Sequence, residues 1–127
     1  MPGKILVAED DALTRFMMCE MLDELELDYE TAKNGAECEH LIDARPDDYA
    51  LVLLDIHMPQ KTGLEVTQSI RSTWQDPPRD IPIIAVTADQ HWQNRARCVE
   101  IGFTDVMSKP ISMNDLEIQI NKALDLS

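Results

Sequence analysis

The chain has 127 residues, enough for one domain built around a single substantial core. With 44% hydrophobic and 28% charged residues it has the make-up of a globular protein, which excludes a disordered or fibrous chain. Lys and Arg number 11 against 24 Asp and Glu, and the formal charge of −13 argues against free binding to nucleic acid, which draws on clustered cations. No apolar stretch approaches the roughly 18 residues of a membrane span. The opening Met-Pro-Gly-Lys lacks the architecture of a signal peptide. The expectation is a single cytoplasmic domain over 1–127, with no membrane partner. Cys19, Cys38 and Cys98 are odd in number and free of C-x-x-C spacing, so reduced thiols are expected rather than a disulfide framework or a zinc site.

Short apolar runs alternate with helix-period segments from end to end. Residues 4–8, Lys-Ile-Leu-Val-Ala, predict a buried strand, and Glu9, Asp10 and Asp11 follow directly. Over 12–25, Met17, Met18, Met21, Leu22 and Leu25 recur at three- and four-residue spacing and predict one inward helix face, with Asp11 as its N-cap. Leu13 and Phe16 fall off that stripe. Between Glu9 and Glu30 nine acids face one base, Arg15, and most of this run reads as a solvated face. A short strand over 29–32 leads to Asn34-Gly35, a turn signal, and then to a weak helix over 36–44 stopped by Pro46.

Residues 50–54 are apolar at every position, as in a central strand covered on both faces. Thr62 and Glu65 can form a capping box opening a third helix, with Val66 and Ile70 turned inward. Pro77 and Pro78 fall in a loop. A fourth strand is predicted over 82–86, a helix over 90–101 ended by Gly102, and a fifth strand over 105–107. Ser112 and Asp115 then cap a last helix whose inner face carries Leu116, Ile120, Ala123 and Leu124. At about 25 residues per strand–helix unit, the pattern predicts an α/β fold. Its form is a doubly wound five-stranded parallel sheet, strand order 2-1-3-4-5, with right-handed crossovers and helices on both faces.

The informative polar residues stand where strands end. Glu9 and Asp10 follow the first strand, Asp55 the third, Thr87 the fourth and Lys109 the fifth. In an open parallel sheet the crevice beyond the carboxyl ends of the strands binds ligands, so these side chains are expected to converge. Three carboxylates crowded together repel and raise one another's pKa values. A divalent cation removes the conflict, and oxygen-only ligands point to Mg²⁺. Lys109 and the Thr87 hydroxyl add a cation and a donor around the same point, a set suited to a phosphoryl group in transfer. Asp55, ending the central strand, is the best-placed nucleophile, and an aspartyl phosphate is a known kind of covalent intermediate.

The sequence resembles the receiver domains of two-component response regulators and hybrid histidine kinases over essentially its whole length. The resemblance is carried by Ile5-Leu-Val-Ala-Glu-Asp-Asp11, by Leu53-Leu-Asp-Ile-His-Met-Pro59 with Gly63, by Ile83-Ile-Ala-Val-Thr-Ala88, and by Gly102-Phe-Thr-Asp-Val-Met-Ser-Lys-Pro110. It implies a flavodoxin-like fold and transfer of a phosphoryl group onto Asp55 from a sensor histidine kinase or histidine phosphotransfer protein. It further implies Mg²⁺ bound by Asp10, Asp55 and the His57 backbone carbonyl, with Glu9 acting through water. Thr87, the Ala88 amide and Lys109 would contact the phosphoryl group, and Lys109–Pro110 would be cis.

Two positions depart from the family's pattern. Val106 stands where an aromatic ring usually swings, which puts the standard output switch in question but not the chemistry. His57 follows the acceptor by two residues and is expected over the site mouth, while His40 and His91 are expected at the surface. Leu13 and Phe16 offer a docking patch for the histidine-bearing partner. Two rival readings are an interaction module that keeps the fold without phosphorylating, and an aspartyl phosphatase or phosphomutase. The latter usually needs an acid where His57 stands.

Overall fold

The computed structural model describes residues 3–73 and 75–124. Segments with no Gly or Pro inside them form the strands, and those of β1, β3 and β4 are largely branched apolar runs. These are β1 (Lys4–Ala8), β2 (Tyr29–Ala32), β3 (Tyr49–Asp55), β4 (Ile83–Thr87) and β5 (Asp105–Ser108). Among the described residues they make one parallel sheet in the order β2-β1-β3-β4-β5, as the sequence predicts. The helices between them are α1 (Ala12–Glu24), α2 (Gly35–Ala44), α3 (Gly63–Arg71), α4 (Arg95–Ile101) and α5 (Met113–Ala123).

Side chains alternate across the strands, so each face of the sheet builds its own core. Ile5, Val7, Leu51, Leu53, Ile84 and Val86 pack with Met18 and Leu22 of α1 and with Leu116 and Ile120 of α5. Leu6, Val52, Leu54 and Ile83 pack on the other face with Cys38 and Ile42 of α2, Val66 and Ile70 of α3, and Cys98 of α4. Leu53 and Leu54 are fully buried on opposite faces. Truncating either to Ala should cost about 3 kcal/mol.

Helix starts follow side-chain caps. Asp11 accepts the Thr14 N–H at 2.9 Å, Thr62 and Glu65 form the reciprocal capping box, and Ser112 accepts the Asp115 N–H at 3.1 Å. Gly102 ends α4 at φ 129°, a left-handed conformation that favours glycine.

Four details differ from the sequence reading. Met17 is not on the inward stripe of α1: it is 46% exposed, and Met18 and Leu22 take the buried positions. Asn34-Gly35 is a helix start rather than a separate turn, because Asn34 is the N-cap of α2 and accepts the Glu37 N–H at 2.8 Å. The helix over 90–101 is two pieces, a 3₁₀ turn at Gln90–Trp92 and then α4, because Asp89 caps the first and Asn94 the second. Asp55 and Thr87 are the last residues of β3 and β4 rather than the first beyond them.

Candidate functional site

Register brings the site together. Ala8 pairs with Leu54, Asp55 with Val86, and Thr87 with Ser108. Glu9, Asp55, Thr87 and Lys109 therefore come to the carboxyl edge of the sheet side by side. Glu9, Asp10 and Asp55 offer carboxylate oxygens that all lie within 4.8 Å of one another. Glu9 and Asp55 are buried and Asp10 is exposed, so the cluster runs from the sheet outward.

The Lys109 ammonium stands 2.7 Å from Glu9 Oε1 and 3.3 Å from Asp55 Oδ2. The Glu9 contact is an ion pair without a well-directed hydrogen bond. Burial pulls the Lys109 pKa down, but its contacts with Glu9 and Asp55 together outweigh that and push it up. Burial, and then the Glu9 carboxylate, push the Asp55 carboxyl up to about 7 against the pull of Lys109. One ammonium does not neutralise three clustered acids. Hard oxygen ligands in excess of local positive charge are the donor set that Mg²⁺ takes, so the residues present fit that cation.

Backbone contacts fix the cluster. The Asp11 N–H donates to Glu9 Oε2 (3.1 Å), the His57 N–H to Asp55 Oδ1 (3.2 Å), and Arg15 Nη1 to the Glu9 carbonyl (2.9 Å). The Gly63 N–H donates to the Ile56 carbonyl at 2.9 Å, so α3 begins against the end of β3. A Cβ at Gly63 would collide with the Asp55 carbonyl oxygen, which makes glycine a requirement of the site's geometry. Lys109–Pro110 is cis, as the resemblance implies. Thr87 is buried with its Oγ1 accepting the Asp89 N–H at 3.0 Å, and Ala88 is exposed beside it.

The His57 side chain is exposed, and its Nε2 lies 2.9 Å from Asp89 Oδ2. His40 and His91 are at the surface, away from the acid cluster. Sequence reasoning missed Asp89 and Arg15. The signal for Asp89 was its place as a capping Asp two residues after Thr87; Arg15 showed none beyond being the lone base in an acidic run. Leu13 and Phe16 are 67% and 60% exposed, and Met17 extends them. Beside them a groove of about 270 Å³, lined by Met17, Met18, Met21, Lys109, Pro110 and Ile111, opens next to the acid cluster.

Fold and site define a flavodoxin-like α/β domain with a cation-competent carboxylate cluster, a lysine and a threonine at the carboxyl edge of its sheet. The chain belongs to the response regulator receiver domain family, whose model matches residues 5–121. It is 35% identical over 116 residues to the peroxide stress-activated histidine kinase mak3 of Schizosaccharomyces pombe, covering 90% of this chain and 5% of the kinase. Identity to response regulator MprA of Mycobacterium sp. (strain KMS) is 35% over 117 residues, covering 91% of this chain and 48% of MprA. The chain thus spans a small part of the yeast kinase and about half of MprA. Among solved structures, it matches the receiver domain of sensor histidine kinase PA1611 from Pseudomonas aeruginosa at a TM-score of 0.85 and 25% identity, covering 98% of this chain and 99% of that one. That structure holds a magnesium ion coordinated in its active-site cleft.

Proposed function

We propose that this chain is the phosphoryl-accepting element of a two-component or phosphorelay pathway, with Asp55 as acceptor and Mg²⁺ as cofactor. The observation that carries the reading is the cluster of three carboxylates, two of them paired with Lys109, at the carboxyl edge of the sheet. Asp10, Asp55 and the His57 carbonyl would hold the cation, with Glu9 acting through water. When bound, it supplies charge neutralisation for the carboxylates and polarises a phosphoryl oxygen.

The ionised Asp55 carboxylate forms the new P–O bond as the P–N bond of a partner's phosphohistidine breaks, and the released imidazole takes up a proton. Lys109 holds positive charge beside Asp55 throughout, and the Thr87 hydroxyl and Ala88 amide supply donors to the transferring group. Hydrolysis returns Asp55 to the carboxylate, so the chain catalyses its own cycle and turns over no independent substrate. The signal leaves by protein contact or by onward phosphotransfer.

The partner is a sensor histidine kinase or a histidine phosphotransfer protein. Leu13, Phe16 and Met17 beside the apolar groove suit its docking, since an exposed apolar patch at the site's rim lets a phosphohistidine approach Asp55. The proposed compartment is the reducing cytoplasm, in keeping with three free thiols.

Incubation with acetyl phosphate and Mg²⁺, read by intact mass, tests the assignment. Wild type should gain one phosphoryl group and Asp55→Asn none; equal labelling of both would remove Asp55 from the role. A wild type that never labels would favour the interaction-only module. Phe16→Glu should slow transfer from a phosphorylated histidine protein while acetyl phosphate still labels it.

A further inference from the structure

Val106 lies half-buried on β5 against the core face that carries α2, α3 and α4. Its one stiff side-chain torsion gives it no ring to move between two positions. The hydrogen bonds show another route out of the site, and it runs through Asp89. From β3, the His57 N–H donates to Asp55 Oδ1 at 3.2 Å and the His57 ring stands 2.9 Å from Asp89 Oδ2. From β4, Thr87 Oγ1 accepts the Asp89 N–H at 3.0 Å. Beyond Asp89, the 3₁₀ turn hangs from the same residue. Asp89 Oδ1 accepts the His91 N–H at 2.9 Å, and the Asp89 carbonyl accepts the Trp92 N–H at 3.0 Å. Gln93 Nε2 donates back to the Thr87 carbonyl at 3.1 Å.

At the end of this chain is Trp92, a half-buried ring packed against the same core cluster as Val106. His91 meets it edge-on with ring centroids 5.3 Å apart, and Arg97 Cζ lies 5.8 Å from its centroid.

We infer that Asp89 couples the state of Asp55 to the 3₁₀ turn, and that Trp92 is the side chain whose packing changes on phosphorylation. The inference rests on the reading of Asp55 as phosphoacceptor. A phosphoryl group there draws the Thr87 hydroxyl and the His57 loop toward it, so both holds on Asp89 change at once. The turn has three residues and none of them is fully buried, which places it among the segments that open at low free energy. Releasing it loosens Trp92 from the core and rearranges the His91–Trp92–Arg97 surface. The two states then present different contacts to a partner, the condition any population switch must meet.

Trp74→Phe leaves Trp92 as the only tryptophan, since the chain has two. This variant is treated with acetyl phosphate and Mg²⁺ while mass and fluorescence are read on one sample. Gain of a phosphoryl group should come with a red shift of emission and stronger quenching by acrylamide, and added Val106→Ala should leave that shift in place. Added Asp89→Ala should start red-shifted before any phosphodonor is present and shift no further. Asp89→Asn keeps an oxygen to cap the turn and should retain the response. Mass gain with unchanged Trp92 emission overturns the coupling, as does an ordinary shift in Asp89→Ala. Absence of mass gain removes the assignment of Asp55 and this inference with it.

Discussion

Asp55 and Asp105 are both buried acids of the sheet, 4% and 8% exposed, but they stand at opposite edges of it. Asp105 opens β5 and is flanked by Arg95 Nε of α4 and Lys122 Nζ of α5, each 3.5 Å away, while the Val106 N–H donates to it at 2.8 Å. Asp55 closes β3, where three acids cluster and one lysine pairs with two of them, Glu9 and Asp55. Where the neighbouring helices bring cations, the acid is a solved structural problem. Where the loop after β1 brings more acids, the fold leaves negative charge for something else to satisfy.

Among changes to these charged groups, removing the shared lysine should have the largest effect on stability. Lys109→Met leaves the buried Glu9 carboxylate unpaired and should destabilise the metal-free protein by about 2 kcal/mol. Urea unfolding in EDTA measures this, and saturating Mg²⁺ should recover much of the loss. A variant as stable as wild type in EDTA would show that the site tolerates its charges without help.

The pH dependence sharpens the contrast. Asp55 has its pKa raised to about 7, so below that the folded, metal-free protein holds a proton that the unfolded chain releases near pH 4. Stability in EDTA should therefore fall as pH rises through this window, by about 1 kcal/mol once screening at the open mouth is allowed for. Asp55→Asn should flatten the slope, and unfolding at pH 5 and pH 8 checks it.

Asp105→Asn should matter least, at about 0.5 kcal/mol, because Arg95 and Lys122 are largely exposed, with side chains 66% and 63% accessible. Its effect should be the same with and without Mg²⁺. A change in Tm that depends on the cation would show that the two edges of the sheet are linked.

The edge at which the site forms was legible in the sequence because parallel strands all finish on one side. Glu9, Asp55, Thr87 and Lys109 each follow or close an apolar run, and no knowledge of packing was needed to bring them together. Met17 was not legible. On α1, Met17 and Met21 are as well spaced as Met18, Leu22 and Leu25, so two stripes fit the period and only docking on the sheet selects one. In the sequence Asn34 looks like part of a turn and Asn94 like helix interior, although both are N-caps whose side chains accept the N–H three residues on. Asp89 escaped for another reason. It meets His57 across 32 residues of sequence, a contact that arises only when two loops are laid side by side by β3 and β4.

Glu9, Asp10 and Asp55 hold negative charge that one lysine leaves in excess. Calorimetric titration of Mg²⁺ into wild type and Asp10→Ala, without any phosphodonor, measures that excess. Asp10 is exposed, so its removal spares the core while taking away one of the three ligands. Wild type should bind one Mg²⁺, and Asp10→Ala should bind at least about tenfold more weakly. Equal affinity in the two proteins, or no Mg²⁺ binding by wild type, would show that the three carboxylates do not form a cation site.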